Sequence, residues 1–304
     1  MKIAFCGFVI FITRLFFDRP DIIHIHAASR ASFYRKIPFV ILSRLFRVPL
    51  VYHQHGAEFM VFFRDECNPL RKWLIRCVLR QADVIIALSM SWKENLHTIC
   101  HDLPVEILPN AVPLPKFTVR ENITVPTILF MGRIGERKGV PELIDAVEII
   151  SREYTKFHLL LGGDGDVDKW REESRRRGLN EIVSFLGWVA GKEKEKMFQS
   201  ADICVLPSHN EGLPMFVLEA NSYGKPVVAT DVGGVADAIV DNLNGYLIQP
   251  NDVEMLAVRL KQLIVDNDLR LTMGAAARKI AEEEFDIKKI VEKLSLIYSK
   301  MLCE

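Results

Sequence analysis

The 304 residues carry no net charge, no regular cysteine spacing and almost no glycine in their first third. Thirty-nine basic and 39 acidic side chains balance, which gives no global reason to expect a nucleic-acid binder. Six cysteines (6, 67, 77, 100, 204 and 303) form no Cys-x-x-Cys pair, so neither a zinc framework nor a disulfide scaffold is indicated. A reducing cytoplasm is the expected location. Low-complexity tracts and internal repeats are missing too, and with 49% hydrophobic and 26% charged residues the chain reads as globular. The uncharged run from Ile3 to Thr13 is shorter than the about 18 residues of a spanning helix. Asp18-Arg19-Pro20-Asp21 follows it in place of a small-residue cleavage site, so a helix packed on a sheet is the first expectation. Contact with a membrane surface is the second, because Arg14, Arg30, Arg35, Lys36, Arg44 and Arg47 surround it.

What is present is uneven. Residues 1–117 carry 15 Lys/Arg against 9 Asp/Glu, a balance of +6, and residues 118–304 carry 24 against 30, a balance of −6. Gly7 and Gly56 stand alone before residue 132, and the other 15 of 17 glycines fall between 132 and 274. Short apolar runs alternate with helical patterns throughout, which predicts βα units on parallel sheets. The runs in the first part are IIHIHA (22–27), PLVYHQH (49–55), VIIALS (84–89) and VEILP (105–109). Asn110 to Val125, with two prolines, reads as a linker. TILFMG (127–132), FHLLLGG (157–163), IVSFLG (182–187), DICVLPS (202–208), KPVVAT (225–230) and GYLIQ (245–249) follow, and three helical runs close the chain. Strands buried on both faces read as continuous apolar runs like these. The second part is therefore expected to be a doubly wound domain with its ligand at the carboxyl ends of the strands.

Three constellations carry chemistry. In HNEGLPMFVLEANSYGKPVVAT (209–230), Glu211 and Glu219 are eight residues apart, about 12 Å if both lie on one helix. That suits two ends of an extended ligand, one carboxylate near a sugar ring and one near a ribose diol, with amides beside Gly212 and Leu213 offering hydrogen bonds. The plainer alternative is a carboxylate at a helix N-terminus and a solvated helix position. In MGRIGERKGV (131–140), glycines 132, 135 and 139 let a strand-to-helix loop approach a phosphate, and Arg133 and Lys138 make it a candidate pyrophosphate clamp; a basic turn is the alternative. The Walker pattern is not met. The glycines of LLLGGDGD and the Gly187-Trp188 loop are weaker signals of the same kind. His24/His26 and His53/His55 are two His-x-His pairs, each with both rings on one strand face. Metal ligation is one reading of them, but no acidic or cysteine set stands at nearby strand ends to complete it. A single functional histidine, His55, or satisfied structural histidines are the others.

In order, MGRIGERKG, LLLGGDGD, FLGWV, ADICVLPSHNEGLPMFVLEA, KPVVATDVGGVADAIVD and NGYLI resemble the C-terminal domain of the retaining, two-domain (GT-B) glycosyltransferases of family 4, or group 1. PDIIHIHAASRASFYRK and VYHQHGAEF resemble the N-terminal domain, particularly of bacterial members that assemble exopolysaccharide, capsule or O-antigen chains. The resemblance implies an α/β fold of two Rossmann-like, doubly wound parallel-sheet domains facing a cleft. Residues 1–117 would be the acceptor-side domain, 118–285 the nucleotide-sugar domain, and 286–304 a helix returning to the first. It implies a hexosyltransferase that moves sugar from a nucleotide-diphospho sugar to a glycan or lipid-linked glycan with retention, without metal or other cofactor. The expected location is the cytoplasm, on the inner face of the plasma membrane where it is peripheral. Arg133 and Lys138 would bind the donor diphosphate, Glu219 the ribose, Glu211 the donor sugar, and the backbone of Gly212 and Leu213 the sugar or phosphate. The Gly187-Trp188 loop would line the base, and His55 would reach the donor sugar across the cleft. Members of the family open with a strand and a two-glycine loop ahead of the PDIIHIH strand; only 19 residues precede Pro20 here. The chain is therefore expected to begin inside the N-terminal domain. A catalytically impaired nucleotide-sugar-binding remnant, or a subunit needing a complementing N-terminal fragment, is then the alternative, and an epimerase of the same architecture is less favoured.

Overall fold

A computed structural model describes residues 2–118 and 123–303, with side chains from residue 7. By its internal contacts the chain forms two units, Met1–Leu108 with Val291–Glu304, and Pro109–Ile290. All ten apolar runs form strands, and every strand pairing is parallel.

In the first unit β1 (Ile23–Ala27), β2 (Leu50–Gln54), β3 (Val84–Ala87) and β4 (Val105–Ile107) lie side by side in chain order. β2 is buried at every position, whereas the edge strand β1 alternates, with Ile23, Ile25 and Ala27 in the core and His24 and His26 on the opposite face. Helices α1 (Lys2–Phe17), α2 (Ala31–Leu45), the short α3 (Phe59–Val61), α4 (Pro69–Leu79) and α5 (Met90–Ile99) connect and cover these strands. Local chemistry fixes their starts. The Asn68 side chain accepts from the Arg71 amide with Pro69 in the first turn of α4, and Ser89 accepts from the Trp92 amide at α5. The expected N-terminal helix forms; its rings meet α2 and its C-terminal turn, Phe8 and Phe11 against Phe39 and Phe16 against Phe46, and Leu15 is buried in the same hydrophobic cluster as Ile23, Ile25 and Leu50 of the strands. Among the described residues, no helix is long and apolar enough to cross a membrane.

The second unit holds β5 (Thr127–Met131), β6 (His158–Gly162), β7 (Val183–Gly187), β8 (Ile203–Leu206), β9 (Val227–Thr230) and β10 (Gly245–Ile248), in the spatial order β10-β9-β8-β5-β6-β7. The chain goes outward from β5 to β7, then returns to β8 on the other side of β5. That reversal leaves a crevice at the carboxyl ends of β5 and β8. Helices α6 (Val140–Ser151), α7 (Val167–Arg176), α8 (Gly191–Ser200) and α9 (Met215–Ser222) make the crossovers, and α10 (Val253–Val265), α11 (Asn267–Ile280) and α12 (Ile287–Cys303) end the chain. Residues Val291–Glu304 of this last segment group with the first unit.

The reading of Asn110 to Val125 as a linker needs correction where it is described, residues 119–122 lying outside the described set. Val112 is fully buried and exchanges backbone hydrogen bonds with the segment around Asp286 (Val112 N to Phe285 O 2.9 Å, Ile287 N to Val112 O 3.1 Å). Phe117 lies under the Arg278 guanidinium, 5.7 Å from the ring centre, and packs on Gly224. Prolines break periodicity without detaching a segment, so the division falls at 108/109, ahead of 117/118.

Candidate functional site

The crevice at the strand reversal holds a cavity of about 510 Å³. Its lining includes Gly132, Arg133 and Lys138 from the loop after β5, Gly163 after β6, Trp188 to Gly191 after β7, and Lys194 on α8. Leu206 at the end of β8 adds an apolar contact, and Glu211 in the following loop and Glu219 on α9 complete its polar wall.

The backbone builds this wall by tying loops to one another. The Gly132 amide donates to Gly162 O (3.0 Å), Ile134 N to Asp164 O (2.6 Å) and Asp166 N to Ile134 O (2.9 Å), which binds the loop after β5 to the loop after β6. His209 N donates to Arg137 O at 3.1 Å and the His209 ring meets Glu142 Oε1 at 2.9 Å, which binds it to the loop after β8. Gly139 ends the short turn carrying Lys138 at φ 70°, where a side chain would be strained and would also strike the Pro207 carbonyl. Gly233, at φ 58°, approaches the Glu211 carbonyl so closely that a Cβ would collide with it. Both glycines therefore position charged side chains of the site.

Five charged groups line the cavity. Lys138 Nζ forms an ion pair with Glu211 Oε1, their side chains 16% and 9% exposed. Lys194 Nζ lies 2.6 Å from Glu219 Oε1. Arg133 is exposed and, among the described residues, has no ion-pair partner. Three cations against two carboxylates leave one positive charge, carried by the side chain whose donors are all free. A cavity walled in this way favours an anion with several acceptor oxygens, and the paired carboxylates keep lone pairs for ligand hydroxyls.

Arg133, Lys138, Trp188, Glu211 and Glu219 thus come together in one place. The Trp188 indole is 74% exposed at its edge. Gly187, Gly212 and Leu213 do not line the cavity, and their carbonyls serve the framework. Gly187 O accepts from Gly163 N (2.7 Å), Gly212 O from Gly234 N (2.6 Å), and Leu213 O from Asn110 Nδ2 (2.9 Å). Helix α9 starts later, with Pro214 as its cap residue. Glu211 precedes the helix, so the two carboxylates do not share an α-helical axis. Lys194 was not anticipated. It sits in GKEKEK, a solvated-looking helix start, and its pairing with Glu219 depends on where the crossover from β7 lands.

His55 belongs to the first unit, at the end of β2, where its amide donates to Ala27 O at 2.8 Å. It is one of four clustered histidines. His26 and His53 are direct neighbours in the β1/β2 register, and strand alternation puts His24 and His55 on the same face. His26 Nδ1 lies 2.7 Å from His55 Nε2 and His24 Nε2 3.2 Å from His53 Nδ1. Burial, then the neighbouring imidazoles, push His24 and His55 down to about 4 and His53 down to about 2; His26 is lowered by burial and by Lys36. All four rings are therefore neutral at pH 7.

Two parallel-sheet Rossmann-like units, with a charged cavity at the strand reversal of the second, define a GT-B architecture. The glycosyl transferases group 1 model matches residues 116–280, and a glycosyltransferase family 4 model matches residues 4–115. The chain belongs to the glycosyl transferases group 1 family and is a glycosyltransferase. Among curated relatives, a glycogen synthase of Mycobacterium tuberculosis (strain ATCC 25618 / H37Rv) is 25% identical over 92% of this chain and 69% of its own length. The alpha-D-kanosaminyltransferase of Streptomyces kanamyceticus is 26% identical over 91% and 76%. Among solved structures, Anabaena Alr3699/HepE in complex with UDP superposes with a TM-score of 0.80 at 21% identity, over 96% of this chain and 81% of that one.

Proposed function

We propose that the chain transfers a hexosyl group from a nucleotide-diphospho sugar to a glycan or lipid-linked glycan, with retention, in the synthesis of a surface polysaccharide. The observation that carries the reading is the convergence of Arg133, Lys138, Glu211 and Glu219 on one cavity at the strand reversal. The glycosyltransferase relatives and the UDP held by the Anabaena neighbour support it.

In the transfer, the acceptor hydroxyl oxygen bonds to the anomeric carbon while the bond from that carbon to the phosphate oxygen breaks. The hydroxyl proton passes to the departing diphosphate. Negative charge builds on that leaving group, and cations held in place beforehand stabilise it without reorganising. Arg133 offers five donors and Lys138 keeps two after pairing with Glu211. This is the work a metal ion does in other transferases, and we assign it here to the two side chains. Glu219, steadied by Lys194, accepts from the ribose hydroxyls, and Glu211, steadied by Lys138, accepts from a sugar hydroxyl. We assign the reaction to the cytoplasm, at the membrane's inner face. Exposed Phe16, Phe17, Ile41 and Leu45 beside Arg14, Arg44 and Arg47 support that placement.

The test is incubation of the full chain with UDP-, GDP- and ADP-hexoses and an undecaprenyl-linked glycan acceptor, with the product's anomeric proton read by NMR. A product with the donor's anomeric configuration is expected. An inverted product, or nucleotide binding without transfer to any acceptor, would overturn the assignment.

A further inference from the structure

Clustered histidines of the first unit are arranged as a ligand set. Sequence spacing alone showed two separate pairs without completing ligands. The β1/β2 register supplies each pair with the other, so that ligand nitrogens of His24, His26 and His53 lie within 4.8 Å of one another. We propose that His24, His26 and His53 hold a late first-row divalent cation, zinc foremost, in the first unit.

Three observations carry this. First, His24 Nε2 and His53 Nδ1 are 3.2 Å apart. Two nitrogens bound to one tetrahedral zinc at about 2.0–2.1 Å stand about 3.3 Å apart, so the pair already has the edge length of such a site. Second, the remaining ring nitrogens have partners of the kind that orient metal-bound imidazoles. His24 Nδ1 meets the Tyr298 hydroxyl at 2.5 Å, and His26 Nδ1 meets His55 Nε2 at 2.7 Å. Donating Nδ1–H to these acceptors leaves Nε2 of both rings as a lone-pair donor. Third, His53 is 6% exposed, and its nitrogens are poorly committed within the protein: Nδ1 faces His24, and Nε2 has no hydrogen-bond partner.

The donor set decides the class of ion. Neutral imidazoles suit zinc, cobalt, nickel and copper, while magnesium and calcium demand carboxylate, carbonyl or water oxygens, and the ligand set among the described residues is three imidazoles. Three protein nitrogens leave a fourth position for water or a ligand, the open form of a zinc site.

The experiment uses the full chain without a polyhistidine tag, stripped with chelator and titrated with zinc by calorimetry and with cobalt by absorption. One equivalent of each is expected, the cobalt adduct showing the visible bands of a low-coordinate nitrogen site, with no comparable binding of magnesium or calcium. Tyr298→Phe should weaken zinc binding about 10-fold, as loss of an orienting partner does, and His24→Asn or His26→Gln more than that. His24 and His26 are not fully buried, so these variants test the site even where His53→Ala fails to fold. Replacing His97 and His101 by Gln should change nothing. Failure of the folded chain to bind zinc, undiminished binding in His24→Asn and His26→Gln, or equal binding of magnesium would each overturn the proposal. None of these outcomes depends on the donor assignment, which is read by nucleotide binding.

Discussion

The two units are built from the same parts and use them differently. Each stacks parallel strands between helices, but the four described strands of the first run in chain order, while the six of the second reverse between β5 and β8. The second places the charged side chains of its cavity at that reversal, on loops beyond strand ends and on helices α8 and α9. The first places His24, His26 and His53 within the strands, on one face of an edge pair where Tyr298 meets His24. Topology, rather than composition, decides where a polar group becomes useful. The acidic unit nonetheless gathers three cations in its cavity, although by overall charge it is the wrong one to attract a diphosphate.

That contrast can be broken in graded ways. The largest effect is expected from Arg133→Ala with Lys138→Ala, which should cut turnover by about 100- to 1,000-fold or more, as loss of charge stabilisation does elsewhere. Product release in a coupled assay would show it, and a loss below tenfold would remove the two side chains from the reaction. Next, Phe33→Ala in the first core and Phe130→Ala in the second should each cost about 3–5 kcal/mol, both rings being fully buried. If the units are energetically separate, Phe33→Ala should lower one thermal transition and leave nucleotide affinity unchanged. Coupled loss of both would mean the division by contacts has no thermodynamic counterpart. Glu219→Ala should cost about 1.5–3 kcal/mol of ribonucleotide binding, the range for hydrogen bonds to a charged group, and erase any preference for ribose over deoxyribose. Calorimetry with UDP and dUDP measures both. The smallest effect concerns Cys204, whose thiol burial raises well above its ordinary value. Native protein should resist alkylation there while exposed Cys303 reacts, as mass mapping would report.

Much of this was legible in the residues themselves. All ten strands were, because a strand covered on both faces is written as an unbroken apolar run. Arg133, Lys138 and Glu211 stood out because they join charge to glycine in loops at strand ends, and Glu219 because of its eight-residue spacing from Glu211, although a basic turn and a solvated helix position were the plainer alternatives. The rest depended on contacts made at a distance. Lys194 is one lysine among several until the crossover from β7 sets it against Glu219. Gly212 and Leu213 were expected to face ligand through their amides, and their carbonyls have a further role that sequence did not suggest, accepting from Gly234 N and Asn110 Nδ2. Val112 and Phe117 sit among prolines that suggest a tether, and partners more than 100 residues away in sequence hold them to the second unit. The histidine cluster was hidden for a related reason, since the register of β1 on β2 is not written in either strand alone.

The central claim is that the strand reversal of the second unit binds a nucleoside diphosphate through Arg133 and Lys138. Calorimetric titration of UDP and of uridine into the native chain and into the Arg133→Ala, Lys138→Ala double variant tests it most directly. The affinity for UDP should fall by at least tenfold while that for uridine stays within twofold, a difference of about 1 kcal/mol or more. Equal losses for both ligands, or an unchanged affinity for UDP, would contradict it.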